Sequence, residues 1–132
     1  MIVADASAVI EILLNTSLAA TCRRVILEPE ETVCVPHLLD VEVCQVLRRY
    51  VRNRQISDHR ASVALADLRN LPLSRYGHEP LAGRIWELRH SVSAYDAAYL
   101  ALAEAVDGPL VTCDARLGRS HGHRAVVRVV GK

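Results

Sequence analysis

Lysine is almost missing from this chain of 132 residues: fifteen of its sixteen basic side chains are arginine, and Lys132 is the exception. Neither sign of charge is in excess. The formal net charge is +1, so overall charge selects neither a nucleic acid nor a membrane surface as partner. Arginine forks suit phosphate and carboxylate groups, although a biased composition gives the same ratio. Zinc-finger and redox spacings are missing too. Cys22, Cys34, Cys44 and Cys113 lie far apart in apolar stretches, with no CxxC among them. They are expected to be small core residues in a reducing cytosol rather than ligands of structural zinc. No apolar run reaches membrane-spanning length, and the opening MIVADASAVIEILL has no basic n-region and carries Asp5 and Glu11. Neither a membrane span nor a signal peptide is therefore expected. With no internal repeat and no low-complexity run, the expectation is a single cytoplasmic domain over residues 1–132.

What the chain does contain is an alternation of short apolar runs with longer helical patterns. Ile2 to Ala4, Thr32 to Val35, Leu73 to Tyr76, Leu110 to Thr112 and Ala125 to Val130 read as strands. Helices are expected over about 7–14, 18–27, 38–54, 57–71, 80–89 and 93–106, with a short one near 115–117. The strands are apolar without polar alternation, the pattern of a parallel sheet covered by helices on both faces. The predicted class is α/β.

Acids stand where such a sheet puts its sites, at the carboxyl ends of strands. Asp5 follows the first strand and Asp114 follows Leu110-Val111-Thr112. Each alone could simply cap the next helix, but both would project from the same sheet edge. Glu42 interrupts a largely apolar helical stripe formed with Leu38, Leu39, Gln45 and Val46. A buried carboxylate there needs a cation, an arginine or a proton. Asp40 is a rival, yet about 200° around the helix separates it from Glu42, and an acid in a first turn is ordinary. Asp96 opens the apolar helix SAYDAAYLALAEAV, where a Ser93–Asp96 capping box and the helix dipole would account for it alone. Together Asp5, Glu42, Asp96 and Asp114 would repel one another unless a hard divalent cation joined them. An acid cluster without a nucleophilic triad points to metal-dependent phosphodiester hydrolysis.

At these residues the sequence resembles the PIN-domain ribonucleases, in particular VapC-type toxins of bacterial toxin–antitoxin pairs. IVADASAVIEILL resembles the family's first block, with Asp5 and the nearby hydroxyl of Ser7. VPHLLDVEVCQVLRR resembles the second with Glu42, SAYDAAYLALAEA the third with Asp96, and PLVTCDARL the fourth with Thr112 and Asp114. The resemblance spans essentially the whole chain and implies a PIN-like fold. It implies a magnesium-dependent endoribonuclease, with manganese as a substitute, cutting structured RNA such as tRNA or rRNA. Asp5, Asp96 and Asp114 are the metal ligands it implies, and Glu42 the fourth catalytic acid. The implied partners are a small VapB-type antitoxin, whose tail fills the site, and a second copy in a homodimer.

Two other functions fit parts of the pattern. An aspartate-based phosphoryl-transfer domain would use Asp5 and Asp114, but Ser7 stands where its second aspartate belongs. A non-catalytic RNA- or protein-binding module would not need four acids. Arg48-Arg49-Tyr50-Val51-Arg52-Asn53-Arg54 could contact RNA phosphate or antitoxin but reads better as a solvated helix end, and His121-Gly122-His123-Arg124 could bind metal or phosphate but reads better as a flexible polar loop. Trp86 and the tyrosines lack the spacing of a base-stacking platform and are expected in core or interface.

Overall fold

The computed structural model describes residues 1–131; Lys132 lies outside them. The elements run β1 (Ile2–Ala4), α1 (Ala6–Leu13), α2 (Ala19–Ile26), β2 (Val33–Pro36), α3 (Leu38–Arg52), α4 (Asp58–Asn70), β3 (Leu73–Tyr76), a 3-10 turn (Glu79–Leu81), α5 (Ala82–Glu87), α6 (Ala94–Val106), β4 (Leu110–Thr112), α7 (Ala115–Gly118) and β5 (Val127–Val129). The sequence pattern locates every element. Two differ in extent. The single helix expected over 80–89 divides into the 3-10 turn and α5, with Pro80 inside the turn. The last strand is confined to three residues because it pairs only along β4, at Leu110, Val111 and Thr112.

All five strands are parallel, in the order β3-β2-β1-β4-β5. Every residue of β1, β2 and β4 is buried, whereas β3 and β5 at the edges are partly open. That is why the inner strands are unbroken apolar runs: helices cover both their faces. α1 packs on α2, α3 and α4, while α5 packs on α6. Right-handed crossovers put these groups on opposite faces of the sheet.

The chain winds outward from β1 through β2 to β3, then returns to β4 on the other side of β1. The reversal makes the carboxyl ends of β1 and β4 the topological switch point, the usual position for a ligand in an open α/β sheet. β4 reaches that place through a tight turn. Asp107 ends α6 in the left-handed conformation, and a side chain on Gly108 would collide with the Met1 carbonyl. Among the described residues, no helix is long and apolar enough to cross a membrane.

Not every cysteine is in the core. Cys22 and Cys34 are buried and Cys113 is half-buried, but Cys44 is exposed. It follows the buried Val43 by about 100° around α3, which turns it from the stripe of Leu39, Val43 and Leu47 toward solvent. The sulfurs of Cys22 and Cys113 stand 3.8 Å apart. Burial pushes the Cys113 thiol up to about 12, which suits a packing role rather than a reactive one.

Candidate functional site

Asp5 occupies the first turn beyond β1 and caps α1, accepting a hydrogen bond from the Ala8 N–H at 3.3 Å. Its backbone N–H extends the ladder to the Val111 carbonyl at 3.1 Å, which ties it to β4. Two hydroxyls then fix the carboxylate. Ser7 Oγ donates to Oδ1 at 2.6 Å, and Thr112 Oγ1 donates to Oδ2, also at 2.6 Å. Each hydroxyl in turn accepts a backbone N–H from the β4–α7 turn, Ser7 from Cys113 at 2.8 Å and Thr112 from Asp114 at 3.0 Å. A hydroxyl has one proton. With both protons on Asp5, the 3.2 Å separation of the two hydroxyls is a contact and not a further hydrogen bond. Ser7 and Thr112 thus link the two strand ends through one carboxylate.

Glu42 arrives from α3, one turn into the helix, and Tyr99 arrives from α6 on the other side of the sheet. The buried Tyr99 hydroxyl donates to Glu42 Oε1 at 2.5 Å. Burial and that bond to an anion push the phenol far above its ordinary value, so it acts as a fixed donor. Asp40 is held elsewhere, in a two-pronged pair with Arg75 at 2.8 and 2.9 Å in the first turn of α3.

Asp96 lies in the first turn of α6, but the cap is Ser93, whose Oγ accepts the Asp96 N–H at 3.2 Å. Half of the expected capping box is therefore made. The reciprocal bond from the Asp96 carboxylate to the Ser93 backbone N–H is not formed among the described residues; the carboxylate lies near the Ser93 side chain, Arg116 and Asp114. Asp114 caps α7 through the Arg116 N–H at 2.9 Å.

The four acids feel one another. Desolvation by burial is the main reason that the Asp5, Glu42 and Asp96 carboxyls lie above their ordinary values. Asp96 repels Asp5, Asp5 and Asp96 repel Glu42, and Asp114 repels Asp96. Hydrogen bonds from Ser7, Thr112 and Tyr99 pull the other way without winning. Asp114 is the exception. Burial lifts it, but the side-chain and backbone hydrogen bonds from Arg116 outweigh that and hold it below the ordinary range.

Arg116 is a member of the site that the sequence pattern does not single out. Its guanidinium Nη2 lies 3.0 Å from Asp114 Oδ2 and 3.9 Å from Asp96 Oδ2. The acids therefore do have a basic partner. Arg116 balances that side of the cluster alone, for Asp5 and Glu42 pair with no cation among the described residues. As the side chains stand, no three described His, Cys, Asp or Glu side chains make a ready metal cage. The donor chemistry nevertheless fits a small hard dication. All donors are oxygen, three carboxyls are destabilised as anions, and magnesium keeps several waters and so asks for few protein ligands.

The aromatic residues divide. Tyr99 is in the core, while Trp86 and Tyr95 are exposed, so the core is closed to those two. Arg89 lies over the Trp86 ring at 4.5 Å.

Known proteins share this fold and much of this sequence. The PIN domain matches residues 2–121. Ribonuclease VapC12 of Mycobacterium tuberculosis is 43% identical over 131 residues, covering 98% of this chain and 99% of its own. PAE2754 from Pyrobaculum aerophilum superposes with a TM-score of 0.72 at 20% identity, over 96% of this chain and 81% of that one. VapBC2 from Rickettsia felis, bound to a DNA fragment from its promoter, gives a TM-score of 0.69 at 12% identity over 98% of each chain. The two structures agree in fold; the family assignment rests on the domain match and the sequence identity. The chain belongs to the PIN-domain family, among its VapC ribonucleases.

Proposed function

We propose that this protein is a divalent-cation-dependent endoribonuclease, the toxin of a toxin–antitoxin pair, hydrolysing phosphodiester bonds in structured RNA such as tRNA or rRNA. One observation carries the reading. Asp5, Glu42, Asp96 and Asp114 lie close enough at the carboxyl ends of β1 and β4 to repel one another pairwise, burial lifts the first three above the ordinary carboxyl range, and one arginine, Arg116, pairs with Asp114 and Asp96. The 43% identical relative is itself named a ribonuclease.

In this reading Asp5, Asp96 and Asp114 hold a magnesium or manganese ion. Such an ion, when bound, lowers the pKa of a water and neutralises charge on a phosphoryl oxygen. The chain's own residues do the rest. Ser7 and Thr112 lock both oxygens of Asp5, so its remaining lone pairs point in fixed directions. Tyr99 holds Glu42 through Oε1, which leaves Oε2 to accept a proton from an attacking water. A carboxyl raised above its ordinary value is a better base for that task than an exposed glutamate. Asp114 would hold a bound ion with the carboxylate that now pairs with Arg116, and the Arg116 guanidinium would then be free to face phosphate.

The partners proposed are a VapB-type antitoxin and a second copy of the chain. The solved VapBC2 assembly supports the first. The exposed Val41, Trp86 and Tyr95 support an apolar contact for either partner. The test of the activity is direct. Antitoxin-free protein should cut total cellular RNA into discrete fragments with magnesium or manganese and stop in EDTA. Undiminished cutting in chelator would overturn the reading.

A further inference from the structure

The carboxylate cluster creates a problem for any RNA reader. It repels the phosphodiester backbone, and a net charge of +1 supplies no general attraction. Cations close to the acids have to supply it. A cleft of about 270 Å³ adjoins Asp96 and is walled by Ser91, Arg116, Arg119, Ser120 and His121. Arg116 closes its inner side, with its guanidinium already at the acids. Arg119 is exposed, and its guanidinium pairs with no carboxylate among the described residues.

The wall that carries His121 is held in place, contrary to the flexible loop expected from its sequence. Ser120 Oγ donates to the Leu117 carbonyl at 2.6 Å and lies 2.9 Å from His123 Nε2. Arg84 Nη2 donates to the Gly122 carbonyl at 3.2 Å. Gly122 adopts φ +88° and packs so closely on Ser91 that a side chain there would strike its hydroxyl. The left-handed turn and its three anchors aim residues 119–121 at the space beside Asp96. Arg116 is accounted for by its pairing with Asp114 and Asp96, whereas Arg119 and His121 border the same cleft without a carboxylate partner among the described residues.

We infer that this cleft is a phosphate subsite, in which Arg116, Arg119 and His121 hold the RNA backbone phosphate next to the scissile one. The inference rests on the ribonuclease reading, and deepens it by saying how a carboxylate-rich centre binds a polyanion. The cleft adjoins Asp96, so a strand whose reacting phosphate lies at Asp5 and Asp96 can lay its neighbouring phosphate in it. Arg119 supplies charge and a planar fork, and His121 supplies a ring N–H. The contacts are to backbone, so they position the strand without choosing its sequence.

The test compares wild type, Arg119→Ala/His121→Ala and Arg69→Ala, the last an exposed arginine on α4 away from the cleft. The probe is a fluorescein-labelled, mixed-sequence single-stranded RNA of twelve nucleotides, titrated in EDTA at several KCl concentrations. The cleft variant should bind several-fold more weakly, and its log Kd against log salt slope should be shallower by about 0.7 for each phosphate no longer neutralised. Its melting temperature and its manganese affinity by calorimetry should match wild type, and Arg69→Ala should match wild type throughout. Wild-type affinity and slope in the cleft variant would overturn the inference. So would a variant that keeps RNA binding and loses binding of an antitoxin, since the cleft would then be a protein dock. Wild type that cuts RNA beside a variant that binds it unchanged refutes the subsite alone. Wild type that binds RNA through the cleft and never cuts it refutes the nuclease and leaves the subsite standing.

Discussion

Asp96→Asn should abolish RNA cleavage while leaving the protein at least as stable as wild type at neutral pH. Removing a group that merely hydrogen-bonds to a metal ligand costs about 10- to 100-fold. Neutralising a carboxylate that itself holds the ion should therefore cost at least about 100-fold. Folding is protected because the cap of α6 is Ser93, whose Oγ accepts the Asp96 backbone N–H, a bond that asparagine keeps. The substitution loses an acid near the positive end of a helix dipole, worth about 0.3–1 kcal/mol. Against that, it removes a charge that burial and Asp114 both disfavour. The Asp96 carboxyl stays above its ordinary value, chiefly through burial, even though Arg116 and Ser93 favour its charge, so relief of that charge is expected to offset the lost dipole contact. The gain should be largest at neutral pH and shrink as the pH falls, because the wild-type carboxyl protonates there and sheds the same penalty. Melting curves from pH 7.5 to pH 4 on the preparation used for cleavage would show both. A mutant that cuts normally would return Asp96 to helix chemistry.

The second large effect is on pH and metal together. Asp5, Glu42 and Asp96 lie above their ordinary values, first through burial and then through mutual repulsion. To hold a cation they must be ionised, so cleavage at limiting manganese should fall with decreasing pH well before ordinary carboxyls titrate near 4. Raising manganese should push the midpoint to lower pH, as metal and proton compete for the same oxygens. Stability in EDTA should move the other way. Groups with raised folded values bind protons more tightly folded than unfolded, so they contribute stability below the unfolded value, which is lost as pH rises through the folded one. Asp114 and Glu104 are held low by arginine and contribute with the opposite sign in a more acidic window. The metal-free protein should thus be most stable in mild acid, where it cuts least. Denaturant titrations and initial rates across pH 4–8 would establish the crossing. Parallel curves for stability and activity would contradict it.

Much of this site is legible in the chain because the sheet makes it local. β1 and β4 are short apolar runs bounded by acids, so Asp5 and Asp114 mark themselves. Glu42 shows itself by breaking an apolar stripe, and its hydrogen-bond partner Tyr99 lies far along the chain, where no local pattern links the two. The strand order is not legible. Five equally apolar runs carry no label saying that β4 returns beside β1, and the switch point exists only because of that return. Arg116 escapes notice for a related reason. Among fifteen arginines, one placed two residues past an acid looks ordinary until the α7 turn swings it onto Asp114 and toward Asp96. The 119–123 loop misleads because Gly, Ser and His suggest mobility. Its anchors Arg84 and Ser91 lie far earlier in the chain and leave no local signal. Cys44 shows the limit of composition. It sits in an apolar stretch, yet the helical period turns it outward.

The central proposal is that the four acids and a divalent ion would cut RNA by activating water rather than by using the ribose hydroxyl. The most direct measurement is the identity of the new RNA ends, made by wild-type protein in magnesium. In-line attack by water with the ribose 3′-oxygen as leaving group breaks the P–O3′ bond and leaves a 5′-phosphate and a 3′-hydroxyl. Fragments that ligate through a 5′-phosphate and that poly(A) polymerase extends from a 3′-hydroxyl, formed in magnesium and absent in EDTA, are the predicted result. Fragments ending in 2′,3′-cyclic phosphate and 5′-hydroxyl would contradict the account.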